Sequence, residues 1–213
     1  MCRLLAVKSR RPFEVAEHLR PFATIARTRR EFQGHGWGCA TLDEQGQWRL
    51  YHHIRPVWED DLGQFGRTRL LIAHARSAFR DEGIAVENNM PFTDGRAVFA
   101  FNGELRGVRI REAGRIGAER VFNYIRRLDR GDLNFALRRA VDLIPKRSRY
   151  VRAMNIILSD GARVLVSSQF NEDVDYFTMH FRTRDDGFIV CSDPYPGEKG
   201  WRPIDNRSVR VLT

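Results

Sequence analysis

Apolar residues fall along this chain in short runs with two different periods. Runs rich in aliphatic and aromatic side chains read as strands: CRLLAV at the start, then GCATL and WRLYHHI around the turn DEQGQ, then RLLIAHARSA and AVFAFNG. Later, MNIIL and RVLVSS flank the turn SDGA, and YFTMHF, FIVCS and SVRVLT follow. Asp160-Gly161 between two such runs is a hairpin signal. Helical spacing occurs in three places. EVAEHLRPFATIA carries it first, with Pro21 predicted to kink or end its first half. AERVFNYIRRL puts Val121, Phe122, Ile125 and Leu128 on one stripe, and LNFALRRAVDLI does the same with Leu133, Leu137, Ala140 and Ile144, closed by Pro145. Strands, then two helices, then strands with hairpin-like connections predict an α+β layered fold with largely antiparallel sheets.

The length of 213 residues suits one ordinary domain, and no repeat or low-complexity linker divides it, so a single domain over 1–213 is expected. No window reads as a signal peptide or a membrane span. Cys2, Cys39 and Cys191 are an odd set without CxxC spacing, which argues against a disulfide framework or a zinc knuckle and predicts a reducing, cytoplasmic setting. The histidines show no metal-ligand spacing, and no cofactor is predicted. The net charge of +9 raises nucleic acid as a partner. Lysine occurs only at positions 8, 146 and 199, so 33 of the 36 basic residues are arginine. They are scattered through RTRR, IRRLDR, LRRA and KRSR among acidic residues, whereas phosphate-binding patches gather on one face. A solvated arginine-rich surface is the better reading, and a non-catalytic basic binding protein remains the rival from another functional class.

Position singles out Cys2. Methionine is normally trimmed ahead of a small residue, and its removal would leave Cys2 with an α-amine and a thiol together. An amine with a pKa of about 7.7–8.0 beside a thiol of about 8.5 is a usable base and nucleophile near neutrality. Read by itself, Asn102-Gly103 is a hairpin turn, and Arg76 is one more surface charge at a strand end.

Five stretches change those readings when taken together: Cys2-Arg3, Gly36-Trp37-Gly38, His74-Ala75-Arg76, Asn89-Met90-Pro91-Phe92 and Asn102-Gly103-Glu104-Leu105. In this order and spacing the chain resembles the class II, N-terminal nucleophile glutamine amidotransferases, and the later SDGA hairpin and SDPYPGEKGW stretch look like the stand-alone bacterial branch. The resemblance implies a four-layer αββα sandwich with two mainly antiparallel sheets. It implies Cys2 as nucleophile once Met1 is gone, and an oxyanion hole of the Asn102 side-chain amide and the Gly103 N–H. Arg76 would clamp a substrate carboxylate, with Trp37, Gly38, Ser77 and Asn89 as further substrate-binding positions. The implied reaction turns glutamine into glutamate and ammonia through a γ-glutamyl thioester, the ammonia passing to a partner synthase or ligase. An alternative is hydrolysis of another γ-glutamyl or carboxamide compound.

One departure bears on that choice. The family usually places an aspartate for the substrate α-ammonium in a Thr-Asp-Ser-Glu stretch opening the first central helix. Here the matching stretch is Ile116-Gly117-Ala118-Glu119, with Gly117 in place of the aspartate. Either another acid supplies the charge or the substrate lacks an amine there. Met90 and Phe101 stand where histidines are common and make the pocket more apolar.

Overall fold

The computed structural model describes residues 1–28, 30–79 and 82–213. Its first strand, β1 (Arg3–Glu14), turns Leu5 and Val7 to one face and Leu4 and Ala6 to the other, as a pleated strand must. Both faces are buried, so β1 lies in a sheet covered on both sides. It pairs antiparallel with β4 (Arg67–Ala75) on one side and β10 (Gly187–Cys191) on the other. With β2 (Trp37–Leu42), β3 (Trp48–His53), β9 (His180–Arg184) and β11 (Arg202–Pro203), the sheet has the order β11-β9-β10-β1-β4-β2-β3.

A second sheet is built from β5 (Phe92–Thr93), β6 (Val98–Arg106), β7 (Tyr150–Ser159), β8 (Val164–Ser168) and β12 (Ser208–Leu212), in the order β12-β8-β7-β6-β5. Its β7–β8 hairpin turns at Asp160-Gly161, where Asp160 Oδ1 accepts the Arg163 N–H at 2.7 Å and Gly161 takes φ 86°. A positive φ of this kind is cheap only for glycine.

The two sheets stack through Leu4, Ala6, Leu70 and Ile72 from the first and Val98, Ala100, Ile157 and Val166 from the second. On the outer face of the seven-stranded sheet lies α1 (Val15–Thr28), whose Leu19, Phe22 and Ile25 pack on Leu5, Val7 and Leu71. On the outer face of the other sheet lie α2 (Gly117–Leu128) and α3 (Leu133–Lys146), whose Phe122, Ile125, Leu137 and Ile144 cover Phe99, Ile156 and Leu158. The architecture is therefore an αββα sandwich with antiparallel pairing in every strand ladder, as the resemblance implies. Each fully buried side chain of this size contributes roughly 1.5–3 kcal/mol.

Three local details differ from the pattern-based expectation. Pro21 neither ends nor divides α1, because the helix is held on both sides of it by buried residues, Val15 and Leu19 before, Phe22 and Ile25 after. The loss of one backbone hydrogen bond is offset by that packing. β1 continues past Val7 to Glu14 with a register irregularity between Lys8 and Phe13. The run YFTMHF is not one strand: Val174–Phe177 forms the short helix α4, which sinks Phe177 against Ala153 and Phe170, and β9 starts only at His180. No helix among the described residues is long and apolar enough to cross a membrane.

Candidate active site

Strand alternation assembles the site. Leu4 and Ala6, Leu70 and Ile72, and Val98 and Ala100 all face the space between the sheets. Continuing each strand with the same parity leads to Cys2, to His74 and Arg76, and to Asn102. The register brings these ends together, since Arg3 pairs with Ala75 and Leu4 with His74. Just beyond, the Ser77 N–H donates to the Cys2 sulfur at 3.4 Å, and the thiol lies 3.6 Å from the Ser77 carbonyl oxygen.

Cys2, Arg76 and Ser77 open onto a cavity of about 890 Å³. Its opposite wall is made by Phe101, Gly103 and the start of α2, including Gly117 and Ala118. Asn102 is 1% exposed, yet neither its side-chain nitrogen nor its oxygen has a hydrogen-bond partner. Buried amides are almost always satisfied, so an idle one between two cavity-lining residues, Phe101 and Gly103, is a candidate ligand contact. Gly103 adds a backbone donor. It pairs with Met154, whose own N–H is turned toward Gln169 on the far side of β7. In antiparallel geometry the Gly103 N–H then points away from β7, toward the edge where β5 pairs only with Phe99 and Val98. A side chain at Gly103 would collide with the Ala153 carbonyl, so this approach of backbone to cavity requires glycine.

Arg76 is 5% exposed, its Nη1 is unpartnered, and no carboxylate among the described residues pairs with it. Burial lowers its affinity for the proton, and the neighbouring Cys2 opposes that. Burial also pushes the Cys2 thiol above its ordinary pKa, against the pull of the chain-terminal amine, the Ser77 N–H and Arg76. Deprotonation of Cys2 therefore needs a base close by. His74 does not fill that role: it is wholly buried, and burial together with Arg76 and His52 holds its pKa down at about 3.

The other sequence-selected positions lie outside the cavity wall. Trp37 is buried under α1 and donates its indole N–H to Asp60 at 2.9 Å. Gly38 packs against the His52 ring and the Tyr51 and Met90 carbonyls, leaving no room for a side chain. Asn89 gives its amide to the His53 carbonyl at 2.8 Å. Together they brace β2 and β3 rather than face the cavity. Met90 and Phe101 do line it. Among the described residues, no three His, Cys, Asp or Glu side chains gather as a metal site.

Comparison with known proteins places this geometry. No family model matches the chain. A curated relative, the gamma-glutamyl-hercynylcysteine sulfoxide hydrolase of Mycolicibacterium smegmatis, is 27% identical over 184 residues, covering 81% of this chain and 74% of the relative. Among solved structures, a glutamine aminotransferase class-II domain protein from Silicibacter pomeroyi superimposes with a TM-score of 0.70 at 17% identity, covering 99% of this chain and 94% of that one. The glutamine phosphoribosylpyrophosphate amidotransferase of B. subtilis gives 0.69 at 14% identity, over 99% of this chain and 47% of that one. The fold is that of the class II glutamine amidotransferases.

Within this amidotransferase fold, sequence reasoning missed the charged frame around the first residues. The Met1 amine forms an ion pair with Glu31, and the Met1 carbonyl accepts from the Tyr176 hydroxyl at 2.7 Å and from Gln33 Nε2 at 3.1 Å. Arg152 holds Asp173 at 2.6 Å and lies 3.6 Å from Glu104 and 3.7 Å from Glu31. Glu31, Glu104 and Arg152 all line the cavity. No local motif announces them, because they meet only through pairings distant in sequence.

Proposed function

We propose that this protein hydrolyses the amide bond of a small, carboxylate-bearing carboxamide, using Cys2 as an N-terminal nucleophile after Met1 is removed. The freed α-amine takes the thiol proton, and the thiolate attacks the carbonyl carbon. The Asn102 amide and the Gly103 N–H hold the oxyanion, in a site whose donors are already oriented. Collapse breaks the C–N bond, the amine returns its proton to the departing nitrogen, and an acyl-thioester remains on Cys2. Water, deprotonated by the same amine, adds to the thioester carbon; the C–S bond breaks, the acid leaves, and the ammonium returns its proton to the Cys2 sulfur. Arg76 binds the substrate carboxylate with a planar fork.

The observation that carries this reading is the buried, unpartnered Asn102 amide, set between Phe101 and Gly103, which line the same cavity as Cys2. Glutamine hydrolysis with delivery of ammonia to a synthase or ligase is one form of it. Cleavage of a larger γ-glutamyl-type amide is the other, and the hydrolase name of the curated relative favours this second form. The test is labelling of Met1-free protein with an electrophilic acyl analogue, followed by peptide mapping. Modification at Cys2, lost in Asn102→Ala or blocked by substrate, supports the reading; labelling elsewhere or nowhere refutes it.

A further inference from the structure

Beyond the reacting atoms, the cavity has a pronounced charge imbalance. Among the described residues, its wall holds five arginines, Arg76, Arg106, Arg115, Arg120 and Arg152, against three glutamates, Glu31, Glu82 and Glu104. The carboxylates are not equally available. Glu104 is paired with Arg106 at 2.5 Å and shared with Arg152, Glu31 also lies beside Arg152, and Glu82 is exposed. Arg76, by contrast, is buried, with its Nη1 unpartnered and no carboxylate paired with it among the described residues.

The first turn of α2 adds to the imbalance. Gly117, its first residue, carries no side chain, and a Cβ built there meets nothing within 4 Å. Ile116 offers no capping acceptor to the helix's opening N–H groups. The one acid in that turn, Glu119, is bound back by Arg115 through its guanidinium at 2.6 Å and its backbone N–H at 2.5 Å. A helix N-terminus with free N–H groups favours negative charge. An ammonium placed there would lose its water and meet a positive dipole end, with the one acid of that turn already bound to Arg115, which is costly.

We infer that the acyl half of the substrate carries a carboxylate and no ammonium, its charge held between the unpaired Arg76 guanidinium and the uncapped first turn of α2. This rests on the amide-hydrolase reading above and departs from both of its named forms, glutamine and γ-glutamyl amides, in favour of glutaryl-like acyl groups.

The experiment compares two chromogenic amides that differ only in the amine, glutaryl-p-nitroanilide and γ-L-glutamyl-p-nitroanilide, with the Met1-free full chain. Release of p-nitroaniline should show kcat/KM for the glutaryl compound higher by about tenfold or more. In Gly117→Asp, which the open space accommodates and a helix N-terminus tolerates, the ratio should swing toward the γ-glutamyl compound by a similar factor. Equal rates, or a γ-glutamyl preference in the parent chain, would overturn the inference and leave the hydrolase reading intact. An unmoved ratio in Gly117→Asp would overturn the placement at α2. Cleavage of neither compound would overturn the hydrolase reading, and the inference with it.

Discussion

Asn102 and Asn155 stand opposite one another in the register of β6 and β7, and only Asn155 has its amide engaged. Asn155 donates to the Phe177 carbonyl at 2.7 Å and accepts the Gln169 N–H at 3.0 Å, whereas Asn102 is equally buried with neither atom bonded. One asparagine is a structural brace, and the other is the proposed oxyanion donor. An unsatisfied buried polar group costs about 1–3 kcal/mol. Asn102→Ala should therefore leave stability to urea unchanged or raised, while turnover drops by about 10²–10³ with little change in KM. Asn155→Ala should lose about 1–3 kcal/mol of stability. A destabilised Asn102→Ala with full activity would reverse the two assignments.

Freedom of the Cys2 amine can be tested without touching the sulfur. An alanine inserted between Met1 and Cys2 keeps the thiol in the protein but locks its nitrogen in a peptide bond. Turnover and labelling by an electrophilic analogue should both fall to background, as in Cys2→Ala, while circular dichroism stays unchanged. Intact mass of the parent protein should show activity only in the species lacking methionine. Activity in the Met1-retaining species would remove the amine from the mechanism.

Arg76 is proposed to bind through a bidentate fork that lysine cannot supply. Arg76→Lys should raise KM by about tenfold or more with a smaller effect on kcat, the pattern of lost ground-state and transition-state binding in equal measure. Steady-state kinetics would decide. A pure kcat effect would mean that Arg76 serves the reacting centre instead of the carboxylate.

Stability should fall on mild acidification. Burial holds His74 at a pKa of about 3, and burial with Arg184 holds His18 at about 4. Unfolded histidine titrates near about 6.5. Between those values the unfolded chain binds more protons than the folded one, so stability declines as pH drops from about 6.5 toward 3. Lowered carboxylates such as Asp60 and Asp94 extend the loss to still lower pH. Thermal melts from pH 7.5 to 4.5 should show a steadily falling Tm, and a flat profile would contradict the buried, neutral state of both rings.

Much of this arrangement can be read in the linear pattern. Alternation through Leu4-Ala6, Leu70-Ile72 and Val98-Ala100 identifies residues facing the same way, and the stripes of α2 and α3 are explicit in Val121-Phe122-Ile125 and Leu137-Ala140-Ile144. Alternation does not say which strands become neighbours, so the meeting of Cys2 with Ser77 needs the β1–β4 register. Trp37 and Asn89 sit in suggestive motifs, but long-range partners, Asp60 and the His53 carbonyl, claim the Trp37 indole N–H and the Asn89 amide nitrogen. Arg152 illustrates the opposite failure. Among so many arginines nothing local distinguishes it, and its contacts with Glu31, Glu104 and Asp173 emerge only from the folded chain.

The direction of the sulfur is finally a matter of counting. Because Leu4 is fixed against His74, each position toward the terminus alternates between the layers. Adding or deleting one residue between Cys2 and Leu4 would aim the thiol at the helix side of the sheet and leave the chamber without the proposed nucleophile. An extra residue at an exposed hairpin tip would cost such a molecule far less than one among those opening positions.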